Sequence, residues 1–598
     1  MKDIVCFDPL LFKSPEGVIS KGTTVKFRVK TERDIKPDKV YFMLRADSED
    51  AYQEFEMKEG KAEFYIDHYF EKRGHYWYSF KVITGSDTKY LNKTYYNFSA
   101  LEETKGEDFF QLVTEFDYKC TNSMQGGIIY QIFVDRFAKV GEVKCREPLI
   151  LRDDWGGGIH KNTTDPIKIN QEVFGGNLRG VISKLDYLKN LGVKTIYFNP
   201  ICMANSNHKY DTADYSIVDP MFGDHDDFVN LLAEAKVRGI KIVIDGVYNH
   251  TGSDSIYFNK YNRFKSIGAY NSQKSQFYNW YNFTEYPDKY ACWWGIDTLP
   301  ALREDCKEFE DYIAGNGGLI EHLMELGVDG VRLDVVDEIK DNFVKKISNK
   351  VAEYGENRIV MGEVWEDAST KISYSARREY FSNNELNSVM NYPIKESILN
   401  FVRNKEPNDL VSTIRMIQNN YPKAVQDNLM NFLGTHDTGR MFSELTNLAG
   451  GDKEIAKKLF KICFVLTFTM IGVPSIFYGD EYGMENNDGS SRGCFDWQNY
   501  KNDIYYWVEA LTKIRKHKVF VSGKLNILYA KNGKFVFERV CEDERVIVMV
   551  NLRPSPINVK LNGIFRSFFT GRIKPNFTLK ENEFEILFEE KPQNNKII

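Results

Sequence analysis

No run of about 18 apolar residues occurs in this 598-residue chain, so the sequence predicts no transmembrane helix. The N-terminus reads MKDIVCFDPLLFKSPEG, without the apolar stretch of a secretory signal, and we expect none. Clusters of basic residues are also missing, and the net charge is −6. This charge balance argues against a nucleic-acid partner and favours a neutral one.

Paired cysteine motifs are absent as well. The nine cysteines are odd in number and scattered singly, without a C-x-x-C pair. This pattern favours free thiols in a reducing cytoplasm over a disulfide framework. Internal repeats and low-complexity tracts are also missing, so the length indicates several ordinary globular domains.

Aromatic residues, at 14%, are plentiful. Most are expected to fill cores and strands, and a few in loops could stack on sugar rings. Residues 1–122 contain short alternating runs such as TTVKFRVKT and KVYFMLRA, which predict an N-terminal β-sandwich. Residues 517–598 return to this pattern, with the hairpin signal KNGK, and predict a C-terminal β-sandwich.

Between these β-rich ends, short apolar strands alternate with amphipathic helices. Eight candidate strands are present, which favours an α/β fold closed as a (β/α)8 TIM barrel. We assign 123–248 and 306–516 to this catalytic barrel. The connection 249–305, after strand 3, is too long for a loop and predicts an inserted subdomain B.

Several predicted barrel strands end in an acid, at the edge where such barrels carry function. These acids are Asp245, Asp334, Glu363, Asp437 and Asp480. One acid alone can be a helix cap, but several converging carboxylates repel each other and require a chemical purpose. Glycoside hydrolysis uses such carboxylates, and a retaining enzyme needs the reacting pair about 5–5.5 Å apart.

Arg332 and Asp334 lie two residues apart in GVRLDVVDE, so both should face the barrel mouth, whereas Val331 and Leu333 face the helices. A guanidinium beside a carboxylate favours the ionised form that a nucleophile needs. A buried structural ion pair is the alternative.

Two histidines, His250 and His436, follow strand ends next to acids. They could donate hydrogen bonds to sugar hydroxyls. Zinc binding by these histidines and Asp245 is the competing hypothesis, but the sequence has no short ligand spacing such as H-E-x-x-H.

Taken in chain order, these motifs resemble those of the α-amylase superfamily of retaining glycoside hydrolases. The resemblance runs from about Gly127 to Gly483 through GIIYQIFVDRF, DGVYNH, GVRLDVVDE, GEVWED, FLGTHDT and GVPSIFYGDEYG. It implies that Asp334 is the nucleophile, Glu363 the general acid and base, and Asp437 the stabiliser of the transition state. It also implies substrate-binding or supporting roles for Tyr210, Asp245, His250, Arg332 and His436.

The segments NHKYDTADY and YACWWGIDTLP and the N-terminal domain look like those of the cyclomaltodextrinase, maltogenic amylase and neopullulanase subgroup. Glu338 agrees with the subgroup, whereas Asp337 and the WED after Glu363 depart from it. Trp293 and Trp294 are candidates for stacking on the product side, and could equally be core residues of subdomain B.

This resemblance implies hydrolysis of α-1,4 bonds in cyclodextrins, malto-oligosaccharides and perhaps pullulan or starch, with transglycosylation as a side reaction. It also implies a starch-binding-module-like N-terminal domain that could form a homodimer. A conventional α-amylase or an α-1,6-glucosidase are close alternatives, and a non-catalytic glucan-binding protein is a remote one.

Members of the superfamily often bind calcium. Relatives often carry an Asn/Asp-rich loop after DRF, but here it reads AKVGEVKCREPLIL, without clustered oxygen ligands. Asn249 matches a second calcium ligand, but one residue is not a site. We therefore expect neither a metal nor another cofactor.

Overall fold

The computed structural model describes residues 5–31, 36–107, 109–115, 124, 126–159 and 166–590. The predicted boundary between residues 122 and 123 lies outside these ranges, and the predicted domain bounds stay predictions. In the part of the chain that the structure describes, no helix combines the length and apolar character needed to cross a bilayer.

Two β-sheets form the N-terminal domain, as predicted. The strand Thr23–Thr31 shows why they pack, since Val25, Phe27 and Val29 alternate inward and are fully buried. Phe27 stacks on Phe42 of the opposite sheet, with ring centroids 4.5 Å apart. The five strands of the first sheet are Val5–Cys6, Lys13–Ser14, Thr23–Thr31, Lys58–Glu59 and Glu63–Phe70. The seven of the second are Ile19–Ser20, Lys39–Ala46, Gln53–Glu56, Gly74–Thr84, Asp87–Lys93, Ser99–Glu102 and Phe110–Glu115.

Eight parallel strands form the central barrel, which confirms the predicted fold class. In chain order they are β1 (Ile128–Ile132), β2 (Val193–Phe198), β3 (Lys241–Gly246), β4 (Gly330–Leu333), β5 (Ile359–Gly362), β6 (Ser388–Val389), β7 (Met430–Asn431) and β8 (Val473–Phe477). The ring closes between β6 and β7 through a parallel bridge of Met390 and Met430.

The barrel strands alternate between two cores. Their inward side chains fill the barrel interior, whereas Val331 and Leu333 pack outward with the surrounding helices, as predicted. The inner cluster consists of Met124, Ile129, Tyr197, Val243, Ile359, Met361, Met390, Tyr392, Met430, Phe432 and Val473. Residues at the ends of the strands therefore reach the mouth from a rigid, closed support.

Helices follow most barrel strands. The helix after β2 begins with a capping box, in which Asp224 and Asp227 each accept a hydrogen bond from the other's backbone N–H. The helices around the barrel are Val134–Phe137, Pro166–Gln171, Leu178–Ile182, Leu185–Leu191, His225–Val237, Lys307–Ala314, Leu319–Leu326, Asp341–Ala352, Tyr392–Asn404, Asn408–Asn420, Lys423–Asn428, Met441–Leu448, Lys453–Thr469, Asp503–Thr512 and Lys518–Val521. The connection from β5 to β6, residues 363–387, carries instead a hairpin of Ile372–Ser373 and Ala376–Arg377.

The connection after β3, where we predicted subdomain B, is largely irregular. Its regular elements are the short helical turns Tyr278–Trp280 and Trp293–Gly295 and the hairpin of Phe283–Glu285 and Lys289–Tyr290. Buried aromatic rings, among them Trp280 stacked on Tyr257, hold this segment against the barrel.

The C-terminal strands form a β-sheet domain, as the all-β pattern of residues 517–598 predicts. They form one antiparallel sheet of six hydrogen-bonded strands, whose two faces are both buried. Phe535 and Phe537 join the large core that includes the barrel, whereas Val536 and Ile547 belong to a separate core of the C-terminal domain. The six strands are Lys524–Lys531, Lys534–Val540, Arg545–Asn551, Ile557–Ser567, Ile573–Leu579 and Glu583–Glu589.

Candidate active site

Arg332 is the centre of a buried charge cluster at the mouth of the barrel. Its Nη1 donates to Asp245 Oδ1 and to Asp334 Oδ1, both at 2.7 Å, and its Nη2 lies 2.8 Å from Glu363 Oε2. The register places these groups together, because Arg332 pairs across the sheet with Asp245 on β3 and Met361 on β5. Three predicted acids therefore converge on one fully buried guanidinium.

The electrostatic balance of this cluster differs from our expectation for Asp334. Burial raises the pKa of Asp334 well above its usual range, and the lowering by Arg332 does not cancel this, because Glu363 and Asp245 add to the rise. Burial likewise raises the pKa of Asp245 against the opposing effects of Arg332 and Tyr197. Three carboxyl groups therefore face one cation, and burial disfavours the ionised forms of Asp334 and Asp245.

The backbone after Asp334 is strained. Val335 has φ 40° and ψ 47°, a left-handed conformation that is rare for a β-branched residue. This conformation directs its N–H toward Glu363, and the hydrogen bond to Oε2 is 2.9 Å long. The other carboxyl oxygen of Glu363 accepts from Trp365 Nε1 at 3.0 Å. The β4 turn and the β5 loop together therefore fix the orientation of Glu363.

A second group of side chains faces this cluster from β7 and the β2 loop. The Tyr210 hydroxyl donates to Asp245 Oδ2 at 2.9 Å and lies 2.6 Å from His436 Nε2. His436 Nε2 also lies 2.8 Å from Asp437 Oδ2. The Tyr210 and His436 rings are nearly parallel, with centroids 5.3 Å apart. These contacts bring Tyr210, His436 and Asp437 to the same mouth as Arg332.

Asp437 is held ionised by its neighbours. Burial acts to raise its pKa, but His436, Arg492 and Arg332 outweigh burial and lower the pKa below its usual range. Arg492 Nη2 donates to Asp437 Oδ1 at 3.2 Å, and Arg492 Nε donates to the His436 carbonyl at 2.8 Å. Asp437 thus differs from Asp334 in its electrostatic environment, and the two are suited to different tasks.

The remaining predicted residues line the rim. Trp294 is 79% exposed, and its Nε1 donates to Glu338 Oε1 at 2.5 Å. Trp293 instead stacks on buried His250, with ring centroids 5.4 Å apart. Burial lowers the pKa of His250 to about 4, so this imidazole is neutral near pH 7. The two tryptophans therefore have different environments, because Trp294 is exposed whereas Trp293 is half-buried.

Two acids have structural contacts that the sequence did not indicate. Asp480, at the end of β8, forms a buried ion pair with Arg440 at 2.8 Å and is not part of the Arg332 cluster. Asp337 accepts from the Tyr380 hydroxyl at 2.8 Å and lies 2.9 Å from Lys371 Nζ, so it ties the β4 turn to the β5 loop.

Three residues of the site were missed by sequence reasoning. Tyr197 donates to Asp245 Oδ2 at 2.7 Å from within β2, where its ring reads as a core residue. Trp365 could have been found, because it follows Glu363 by two residues and so leaves the strand on the same side. Arg492 lies in a loop after β8 and carries no strand or helix signal.

The groups that could hold calcium do not suit it. In the loop after DRF, Arg146 donates to Asn205 Oδ1 at 2.7 Å and to the Ala204 carbonyl at 2.9 Å, so a guanidinium contacts these oxygens. Asn249 directs its Nδ2 to the Glu338 carbonyl at 3.4 Å, and its Oδ1 lies 3.3 Å from His250 Nδ1. Calcium requires six to eight oxygen ligands. Here the Arg146 guanidinium and the Asn249 amide nitrogen already contact the candidate oxygens.

Comparison with known proteins identifies the class of this site. Residues 131–519 match the family model for the α-amylase catalytic domain. The chain belongs to the α-amylase family of glycoside hydrolases. It is 32% identical over 442 residues to a cyclomaltodextrinase of Thermoanaerobacter pseudethanolicus, covering 71% of this chain and 70% of that protein.

A longer alignment joins the chain to an amylopullulanase of Thermoanaerobacter thermohydrosulfuricus, with 30% identity over 624 residues. It covers 91% of this chain but only 41% of that protein, so the chain spans less than half of this longer relative. Among solved structures, a cyclomaltodextrinase superposes with a TM-score of 0.71 at 22% identity, covering 98% of this chain and 99% of the other. The type III pullulan hydrolase of Thermococcus kodakarensis gives 0.70 at 24% identity, covering 98% and 100%. These structural similarities concern the fold.

Proposed function

We propose that the chain is a retaining, endo-acting hydrolase of α-1,4-glucosidic bonds in cyclodextrins and malto-oligosaccharides, with pullulan and starch as further substrates. The observation that carries this proposal is the buried cluster in which Arg332 contacts Asp245, Asp334 and Glu363. The similarity to cyclomaltodextrinases, a maltogenic α-amylase and a neopullulanase supports this choice of substrates.

In the proposed first step, Asp334 attacks the anomeric carbon and Glu363 donates its proton to the departing glycosidic oxygen. The C–O bond to the leaving sugar breaks, and a glycosyl ester of Asp334 forms. This step requires an ionised Asp334 and a Glu363 that carries the proton for the leaving oxygen. Arg332 supports that ionised state from 2.7 Å.

In the second step, Glu363 accepts a proton from water as the water oxygen attacks the same carbon. The ester bond breaks, and its electron pair returns to the Asp334 carboxylate. If a sugar hydroxyl attacks in place of water, the same bonds form and break, and the result is transglycosylation. The contacts of Val335 and Trp365 hold Glu363 for both proton transfers.

The second group of side chains would bind the sugar whose bond is cleaved. We assign Asp437, held ionised, to hydroxyls of the distorted ring and to the positive charge that develops there. His436 and His250 would donate to hydroxyls, and Tyr210 would stack on the ring. Asp245 is a supporting residue, because its oxygens are occupied by Arg332, Tyr197 and Tyr210.

Substitution of the proposed nucleophile tests this function. Asp334→Asn preserves the shape but removes the attacking charge, so turnover of β-cyclodextrin and maltotriose should fall by about 1,000-fold or more. Binding of these glucans, measured by calorimetry, should persist. Asp543→Asn is the control, since it removes one exposed carboxylate in the C-terminal domain, outside the cluster. A wild-type protein that binds glucans without hydrolysing any would instead support the non-catalytic alternative.

Substrate comparison separates the close alternatives. Faster cleavage of starch than of β-cyclodextrin would favour a conventional α-amylase, and preferential cleavage of isomaltose would favour an α-1,6-glucosidase. Our proposal requires β-cyclodextrin to be cleaved faster than starch.

We further propose catalysis without a metal, a cytoplasmic location and a role in starch degradation. The contacts of Arg146 and Asn249 support the first of these proposals. The second is supported by the cysteines within the described residues, eight of the nine, which form no disulfide bond. A homodimer through the N-terminal domain is proposed from the family resemblance alone. Activity that survives a calcium chelator, and a dimer mass by light scattering, would support the first and last proposals.

A further inference from the structure

The hairpin between β5 and β6 stands at the rim of the active site. Tyr374 and Ser375, at its tip, have φ of 50° and 63°, which turns the chain tightly between Ser373 and Ala376. The Tyr374 ring is 77% exposed. Partial desolvation of its hydroxyl raises the pKa of Tyr374, and nearby Glu338 adds to the rise through its charge and a side-chain hydrogen bond. Glu338 therefore lies between two exposed rings, Tyr374 and Trp294.

These rings stand on the side of the site that receives the leaving sugar. A general acid protonates the leaving oxygen, so the leaving and accepting sugars lie next to Glu363. The hairpin belongs to the loop that begins at Glu363, and Glu338 follows Asp334 by one turn. The opposite side is taken by Tyr210, His436 and Asp437. Trp294 and Tyr374 are thus two exposed rings near Glu338 on the acceptor side.

The barrel holds one side of this hairpin. Lys371, just before it, contacts Asp337, and Arg378, just after it, donates to the Asp337 carbonyl at 2.5 Å. Arg378 also donates to Asp341 Oδ1 at 3.0 Å. Both ends of the hairpin are therefore fixed to the turn that follows Asp334.

The N-terminal domain of the same chain holds the other side. Asp47 Oδ2 accepts from Arg377 Nε at 2.6 Å, and Asp47 Oδ1 accepts from Trp77 Nε1 at 2.7 Å. The Arg377 guanidinium lies 5.2 Å from the centre of the Trp77 ring. A cavity of about 650 Å³, lined by Asp47, Arg377 and residues of both domains, lies beside these contacts. Because this space is not filled by packed side chains, the polar contacts restrain the hairpin there.

We propose that Asp47 is a positioning residue of the N-terminal domain, which acts through Arg377 to hold Tyr374 opposite Trp294 and so sets the capture of an acceptor sugar. This inference rests on the proposed function, because it requires the glycosyl ester of Asp334. In the affected step the acceptor hydroxyl attacks the anomeric carbon, its proton passes to Glu363, and the ester electron pair returns to Asp334.

Transfer kinetics test this role. We would use p-nitrophenyl α-maltoside as the glycosyl donor and maltose as the acceptor, and compare transfer products with hydrolysis products. Asp47→Ala should raise the half-saturating maltose concentration about tenfold, and lower the maximal transfer rate by a smaller factor. Arg377→Ala should show the same effect, and the double variant should be no worse than either single variant. Asp47→Glu should recover most of the transfer.

Two further variants separate positioning from damage to the domain. Glu54→Gln removes an exposed ion pair with Lys81 in the same domain and should behave as wild type. Tyr374→Ala changes only the exposed tip and should reproduce the loss of transfer even if Asp47→Ala folds poorly. Unchanged acceptor dependence in both Asp47→Ala and Tyr374→Ala, or additive effects of Asp47 and Arg377, would overturn the inference.

Failure of this inference is distinguishable from failure of the proposed function. Nitrophenol release by the wild-type protein without acceptor reports hydrolysis itself. If release occurs and the variants keep normal transfer, the positioning role alone is wrong. If the wild-type protein releases no nitrophenol and cleaves no α-glucan, the proposed function is wrong and the positioning role is rejected with it.

Discussion

Val335 donates its backbone N–H to Glu363 Oε2 at 2.9 Å from a left-handed conformation. The residue after the proposed nucleophile therefore orients the proposed acid. A β-branched residue in this conformation costs of order 1–3 kcal/mol, and surrounding packing must maintain it. The strained conformation directs the Val335 N–H at Glu363 Oε2 and so fixes the orientation of this carboxyl group.

Val335→Gly should separate this strain from catalysis. Glycine adopts the same conformation without steric cost but leaves the turn freer. We expect the free energy of unfolding to change by less than about 1 kcal/mol, and kcat to fall about tenfold. Chemical denaturation and steady-state kinetics measure the two quantities. Asn532→Gly, at another positive φ far from the barrel mouth, is the control, and a variant with unchanged kcat would refute the orienting role of Val335.

Arg492→Gln should shift the acid limb of the activity profile. Arg492 helps to lower the pKa of Asp437, so its loss raises that pKa toward the ordinary value. Because the proposed role needs ionised Asp437, activity should be lost at a higher pH as the solution is acidified. We also expect kcat to fall about tenfold to a hundredfold from the lost charged hydrogen bond. The surface substitution Arg238→Gln controls for net charge, and an acid limb identical to that of wild type would contradict the assignment.

Glu385 should reduce stability as the pH rises. Burial raises its pKa to about 8, and among the described residues its Oε2 has no hydrogen-bond partner. In the unfolded chain the Glu385 carboxyl group ionises near pH 4.5. The contribution of Glu385 to the free energy of unfolding is therefore most favourable below pH 4.5 and is lost between pH 4.5 and 8. Glu385→Gln should be more stable than wild type at pH 8 by about 1–3 kcal/mol, and the difference should shrink toward pH 4.5.

Urea denaturation at several pH values from 4.5 to 8 tests this expectation. The substitution Glu542→Gln, at an exposed glutamate of the C-terminal domain, should leave the pH dependence unchanged. Parallel stability curves for wild type and Glu385→Gln would show that folding does not raise the pKa of Glu385, and would contradict this expectation.

Strand periodicity was sufficient to place Arg332 and Asp334 at the mouth, because alternation fixes the face of each side chain. It was not sufficient to show that Arg332 also contacts Asp245 and Glu363, since that depends on the register between β3, β4 and β5. The partner of Asp480 could not be predicted from the sequence either. Asp480 ends a strand like the other acids, yet Arg440, from another part of the chain, pairs with it.

Contacts between distant loops were outside the reach of the sequence. Arg492 reaches Asp437 from an irregular segment, where no periodic pattern constrains its direction. From the sequence, Asp337 was only a departure from the subgroup pattern. In the structure it contacts Lys371 and Tyr380 and so connects the β4 turn to the β5 loop. Such pairs depend on how loops distant in the sequence pack together, so local patterns do not encode them.

The central claim is a double displacement by Asp334 and Glu363, and the configuration of the first product tests it most directly. Proton NMR of β-cyclodextrin cleavage, recorded before the anomers equilibrate, should show the new reducing end as the α-anomer. The β-anomer should then grow only at the rate of spontaneous mutarotation. Early appearance of the β-anomer would contradict the covalent intermediate and the assignment of Asp334 as its nucleophile.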